Sequence, residues 1–103
     1  MFCVYLEYLS GGSVADLCRR YGYLGESICR QYTRQVLKAL VYLHSKDVVH
    51  GDLKGANVLL SKDGETVKLC DLGNSRLLEG DKSWQSMSTV LNGTLAWMAP
   101  EAF

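Results

Sequence analysis

Residues 50–60 read His50-Gly51-Asp52-Leu53-Lys54-Gly55-Ala56-Asn57-Val58-Leu59-Leu60, and residues 66–73 read Thr66-Val67-Lys68-Leu69-Cys70-Asp71-Leu72-Gly73. Between them, Ser61-Lys62-Asp63-Gly64-Glu65 is a five-residue polar connection with Asp-Gly at its bend, the signature of a hairpin joining two short apolar strands. A hairpin of this kind brings its two outer ends together. Asp52, Lys54, Asn57 and Asp71 therefore fall into two loops flanking one pair of strands. Three of these residues offer oxygen to a hard cation or a proton, and the fourth carries a fixed positive charge. Phosphoryl transfer uses that inventory, because the reaction runs mainly on positioning and electrostatics.

The rest of the chain sets limits around this stretch. At 103 residues it is one domain at most, and a small one. Its 48% hydrophobic and 21% charged content is that of an ordinary globular protein, which excludes a disordered chain. Eleven basic residues balance eleven acidic ones, so bulk charge points to neither nucleic acid nor a membrane surface. No apolar run approaches the ~18 residues of a membrane span, and Met1 opens into Phe-Cys-Val-Tyr-Leu without the basic segment of a signal peptide. Cys3, Cys18, Cys29 and Cys70 form no C-x-x-C pair and lie in apolar runs. They are expected to be reduced, mostly buried thiols of a cytoplasmic protein.

Taken in order, residues 2–9 are aromatic and β-branched apart from Glu7, which predicts a buried strand leading into an extended segment. Ser10-Gly11-Gly12 breaks it, and Ser13-Val14-Ala15-Asp16 reads as a capping box. Val14, Leu17, Cys18 and Tyr21 then recur at helical spacing up to Gly22. Leu24-Gly25-Glu26-Ser27 opens a longer helix reaching residue 45, with Ile28, Tyr32, Val36, Leu40 and Leu43 on one stripe. Cys29, Leu37 and Val41 widen that stripe beyond what a few strands can cover, so the helix is expected to need another partner. Residues 74–92 turn polar and irregular, and a loop of that length is usually functional.

The ordered set of motifs resembles the protein kinases. His50-Gly51-Asp52-Leu53-Lys54-Gly55-Ala56-Asn57 is similar to their catalytic loop, and Asp71-Leu72-Gly73 follows fourteen residues after Asn57 like the metal-binding D-F-G. Ala99-Pro100-Glu101 stands where A-P-E belongs, with Glu101 thirty residues after Asp71. Leu6-Glu7-Tyr8-Leu9 looks like the hinge, and residues 35–44 like the helix before the catalytic loop. The wording Lys54-Gly55-Ala56-Asn57 and Trp97-Met98-Ala99-Pro100-Glu101 is most similar to the mitogen-activated protein kinase kinase kinase branch.

The resemblance implies an α+β, mainly α fold, a partial C-terminal helical lobe without the N-lobe and the late C-lobe helices. It divides the chain into hinge strand and linker (1–12), two helices (13–46), catalytic and metal loops (48–73) and activation segment (74–101). It implies ATP and Mg²⁺ as cofactors and a protein with a Ser or Thr acceptor as partner. Asp52 matches the catalytic base and Lys54 the lysine that steadies the transferred phosphate. Asn57 and Asp71 match the magnesium ligands. Leu6, Glu7, Leu9, Val14, Leu59 and Cys70 match the lining of the nucleotide pocket. Thr94 matches the threonine tying the substrate loop to Asp52 and Lys54. Ser86, Ser88 and Thr89 are candidate phosphosites.

The chain departs from the family pattern in three respects. Gly51 replaces the Arg that pairs with activation-segment phosphate, which puts control through that contact in question. Leu72 replaces Phe. These 103 residues contain neither G-x-G-x-x-G nor a V-A-I-K-like lysine. The expectation is a piece of a larger serine/threonine kinase that is inactive alone, with a non-catalytic pseudokinase-like scaffold or an incomplete gene model as the alternatives.

Overall fold

The computed structural model of the chain describes residues 1–77 and 94–102. Helix α1 (Val14–Tyr21) starts where the capping box places it. The Ser13 hydroxyl accepts from the Asp16 amide at 3.1 Å, and the Asp16 carboxylate accepts from the Ser13 amide at 3.0 Å. Two donors left over at any helix start are thereby satisfied. The helix stops at Gly22, whose N–H reaches back to the Cys18 carbonyl. Helix α2 (Glu26–Ser45) is the longest element, and Asp47 (φ 58°) ends it in the left-handed region that commonly follows a helix.

Strands β2 (Val58–Leu60) and β3 (Val67–Leu69) pair antiparallel, with Val58 opposite Leu69 and Leu60 opposite Val67. The bend forms as its sequence requires. Asp63 Oδ1 accepts from the Ser61 hydroxyl (2.6 Å) and the Glu65 amide (3.0 Å), while Gly64 takes a positive φ. Helix α2 is stitched to this hairpin by side chains one turn apart. Tyr32 donates its hydroxyl to the Gly64 carbonyl at 2.6 Å, and Gln35 both donates to the Glu65 carbonyl (2.8 Å) and accepts from the Val67 amide (2.9 Å). The core lies between them, Tyr32 with Val58, Leu60 and Val67, flanked by Val14, Leu17, Leu24, Val36 and Leu69.

The other edge of β2 is occupied by the linker. Gly11 N–H donates to the Leu60 carbonyl and Leu60 N–H to the Gly12 carbonyl, at 2.9 and 2.8 Å, and Ser13 bridges Leu59. Only glycine fits at residue 11, because a Cβ there would stand 2.2 Å from the Ser61 carbonyl oxygen. A second pair, β1 (Val48–Val49) with β4 (Arg76–Leu77), is antiparallel and ties the start of the stretch from His50 to the residues just beyond Asp71-Leu72-Gly73.

Two expectations are corrected. Residues 2–9 form no strand and are exposed, apart from the part-buried Leu9. Both edges of β2 are already bonded, so no ladder is open to them there; Lys68 holds this segment through Glu7 at 2.6 Å. Cys3, Cys18 and Cys29 are exposed and Cys70 is part-buried. The apolar runs carrying them lie on faces that the described residues leave uncovered. The widened face of α2 behaves as its sequence suggests, with Leu37 and Val41 55% and 70% exposed. Among the described residues, no helix is long and apolar enough to cross a membrane. The candidate phosphosites Ser86, Ser88 and Thr89, and most of the polar stretch 74–92, lie outside the described residues.

Candidate active site

The site begins with a histidine. His50 follows β1 and is 2% exposed. Its Nδ1 accepts from the Asp52 amide at 3.1 Å, and its Nε2 lies 2.8 Å from the Cys70 carbonyl oxygen. An amide can only donate and a carbonyl can only accept, so the ring is assigned as the neutral tautomer with the proton on Nε2. Gly51 makes this possible at φ 87°, reversing the chain so that the Asp52 amide folds back onto the ring of His50. The histidine thus locks the loop carrying Asp52 to the end of β3.

Asp52 is buried, and its carboxylate is surrounded by donors. Oδ1 accepts from the Thr94 hydroxyl at 2.8 Å, while Oδ2 lies 3.4 Å from Asn57 Nδ2 and 3.7 Å from Lys54 Nζ. The Thr94 hydroxyl holds this carboxyl below the ordinary Asp value. The Lys54 charge and the Asn57 amide act in the same direction, and burial opposes them. Lys54 donates to Thr94 Oγ1 at 2.6 Å. The threonine oxygen therefore accepts from the ammonium while its hydroxyl donates to the carboxylate, a hydrogen-bonded relay of three side chains.

Asn57 closes the short 3₁₀ turn Gly55–Asn57. Its Nδ2 donates to the Asp52 carbonyl at 2.8 Å, pinning the loop from the other side. Both of its side-chain bonds among the described residues run through Nδ2, so its Oδ1 carries no donor from them. Its carbonyl accepts from the Cys70 amide at 2.9 Å, which places Asp71 one residue beyond a direct link to Asn57. Asp71 is exposed, adopts the left-handed φ/ψ of 60°/71°, and accepts from the Gly73 amide at 3.3 Å. Left-handed backbone is uncommon outside glycine, though Asp tolerates it better than most.

The geometry thus joins Asp52, Lys54, Asn57 and Thr94 in one hydrogen-bonded and ion-paired cluster. Asp71 reaches it through the backbone, by the Cys70 to Asn57 link. Among the described residues no three His, Cys, Asp or Glu gather as a metal cluster. Asn57 and Asp71 each carry a side-chain oxygen, and the Cys70 amide's bond to the Asn57 carbonyl links their backbones. That donor set suits Mg²⁺, which is commonly held by one or two protein groups and completes its shell with phosphate and water.

Of the residues matched to the nucleotide pocket, Val14 packs against the core, and Leu59, part-buried between Val58 and Leu60 in β2, is bridged to Ser13. Leu9 is part-buried, Leu6 is 86% exposed, and Glu7 is engaged by Lys68. Burial, with the charge of Asp71, pushes the Cys70 thiol up. Sequence reasoning passed over His50 and Trp97. The first was signalled by a histidine two residues before Asp52. The second was signalled by Thr-x-x-Trp, a spacing that places two side chains on the same side of a 3₁₀ turn.

The chain belongs to the protein kinase domain family, whose match extends over residues 1–103. It is 45% identical over 98 residues to Mitogen-activated protein kinase kinase kinase YODA from Arabidopsis thaliana, covering 95% of this chain and 10% of that protein. It is 46% identical over 100 residues to Mitogen-activated protein kinase kinase kinase 3 from the same plant, covering 95% and 15%. Against Mitogen-activated protein kinase kinase kinase 3 from Homo sapiens the identity is 45% over 98 residues, covering 95% and 16%. The chain spans between a tenth and a sixth of the length of these relatives. The branch to which its motif wording is most similar is the branch of these proteins.

Proposed function

We propose that this chain carries the phosphoryl-transfer centre of a serine/threonine protein kinase, as the front part of its helical lobe. The observation carrying this reading is the relay from Lys54 through Thr94 to Asp52. It keeps a carboxylate ionised and oriented, with a cation beside it. Asp52 accepts the proton of an incoming Ser or Thr hydroxyl. Lys54, one of whose donors is engaged by Thr94, offsets the negative charge that develops on the transferred phosphoryl group. Asn57 and Asp71 hold Mg²⁺, which when bound draws charge from the phosphate oxygens of ATP. Val14 and Leu59 support the apolar side of the nucleotide, with Leu6, Glu7, Leu9 and Cys70 completing its surroundings.

The partner is a protein presenting a Ser or Thr acceptor, and a reducing compartment such as the cytoplasm suits the four free cysteines. The 103 residues alone do not turn over, because they supply neither a glycine-rich lid nor the strand lysine. A kinase carrying this segment phosphorylates Ser and Thr peptides, and Asp52→Asn lowers its turnover by ~10²–10⁴-fold. Turnover unchanged in Asp52→Asn would overturn the reading. The exposed apolar face of α2, with Leu37 and Val41, favours one second reading for the chain alone, that of a non-catalytic docking module. Failure of the purified chain to bind nucleotide with or without Mg²⁺ would support it.

A further inference from the structure

Trp97 is 61% exposed, which is unusual for a tryptophan with only a packing role. Its ring lies with its centroid 5.8 Å from Lys54 Nζ, within the reach of a cation–ring attraction. The same short turn presents both partners of the lysine. In the 3₁₀ turn Leu95–Trp97, the Trp97 amide donates to the Thr94 carbonyl at 3.0 Å. At about three residues per turn, side chains three apart fall on one side. The Thr94 hydroxyl and the Trp97 ring thus meet one ammonium, at 2.6 Å and 5.8 Å.

This arrangement decides where the ammonium sits relative to the base. Lys54 Nζ stands 3.7 Å from Asp52 Oδ2, too far for a hydrogen bond although the charges attract. A direct pair would occupy the oxygen that has to take a proton, and would spend the cation on the base instead of on the phosphate. Thr94 stands between the two groups, and the ring attracts the ammonium from its own side.

We propose that Trp97 is a positioning residue for the transfer reaction, its indole face holding the Lys54 ammonium off Asp52 and toward the transferred phosphoryl group. The proposal rests on the reading of Lys54 and Asp52 given above.

The direct test is NMR of the full 103-residue chain with its lysines ¹³C-dimethylated, which preserves their charge. The Lys54 signal is assigned by its loss in Lys54→Arg. It should lie upfield of the other lysine signals through the ring current of Trp97, move to the exposed-lysine position in Trp97→Ala, and stay displaced in Trp97→Phe. A Lys54 signal coincident with the exposed lysines in the unsubstituted chain overturns the contact, whether or not Trp97→Ala folds.

In a kinase carrying the segment, Trp97→Ala should lower kcat about twofold to fivefold, the rate equivalent of one exposed cation–ring contact. KM for ATP should be unchanged, and Trp97→Phe should recover much of the loss. Equal kcat in Trp97→Ala and the parent, or a fall that Phe does not relieve, refutes the positioning role. Asp52→Asn run alongside separates the two failures. If it abolishes turnover while Trp97→Ala has no effect, only the role of Trp97 is lost; if it has no effect, the reading beneath is wrong.

Discussion

The Thr94 hydroxyl donates to Asp52 Oδ1 at 2.8 Å, although the two residues are 42 positions apart in the chain. This bond joins the loop after β1 to the turn near the far end of the chain, and it is the main reason the Asp52 carboxyl stays below its ordinary value. Thr94→Val keeps the shape of the side chain and removes the hydroxyl. The expected outcome is an Asp52 carboxyl that titrates nearer the ordinary Asp value, followed by carboxyl ¹³C NMR, and in a kinase carrying the segment a fall in turnover of ~10–100-fold. Thr94→Ser should restore both. An Asp52 titration unmoved by Thr94→Val would contradict the bond.

His50 gives a second prediction, about stability. Its ring satisfies the Cys70 carbonyl and the Asp52 amide from a position 2% exposed. His50→Phe fills the space but leaves both backbone groups without their partner. The expected loss is about 2–4 kcal/mol, read as a lower urea midpoint with an unchanged slope. A midpoint within experimental scatter of the parent would mean that the histidine is merely accommodated.

The third concerns acid. Among the described residues three carboxyls are held below their ordinary value in the folded chain: Asp52 chiefly by the Thr94 hydroxyl, Asp16 chiefly by the Ser13 amide, and Asp63 chiefly by the Ser61 hydroxyl. A carboxyl with a depressed folded pKa binds protons more readily when unfolded. It contributes stability that is complete above the unfolded value of about 4 and is lost as pH falls through the folded value. Urea midpoints should be flat from about pH 7 to 5 and fall steadily below about 4. Ser13→Ala should lower the neutral plateau by roughly 1 kcal/mol, the usual worth of a cap, and make the acid limb shallower. A midpoint that rises on acidification would contradict the sign.

A fourth prediction is steric. A Cβ at Gly11 would meet the Ser61 carbonyl oxygen at 2.2 Å, and that oxygen belongs to backbone that cannot step aside cheaply. Gly11→Ala should detach residues 11–13 from β2 at a cost of about 2–4 kcal/mol. Hydrogen exchange would show the loss at the Leu60 amide, which donates to the Gly12 carbonyl. Protection of Leu60 equal to that of the parent would count against the close approach.

How far the sequence carried these results depends on whether the information is local. The capping box at Ser13, the stop at Gly22, the long α2 and the Asp63-Gly64 hairpin all follow from residues within a few positions of each other, and the structure has each where its pattern lies. Residues 2–9 look like a strand because they are apolar and β-branched, but a strand needs a free edge, and residues 11–13 occupy the one beside β2. The cysteines misled for a related reason, since apolar neighbours bury a thiol only when something covers that face. At the site, Asp52, Lys54 and Asn57 were legible from one loop. The bridge to Thr94 came through resemblance to a family, because nothing local links residues 52 and 94. His50 and Trp97 were missed because their partners are a carbonyl and an ammonium brought in by the fold.

The account rests on Asn57 and Asp71 facing a single nucleotide-bound cation beside Asp52, and paramagnetic NMR of the ¹⁵N-labelled chain titrated with Mn²⁺ and ADP tests it most directly. The account predicts that the Asn57 and Asp71 signals broaden first and together, while those of Asp63 and Glu65 at the opposite end of the hairpin stay sharp. Broadening centred on Asp63 and Glu65, or at only one of the pair 57 and 71, would contradict it.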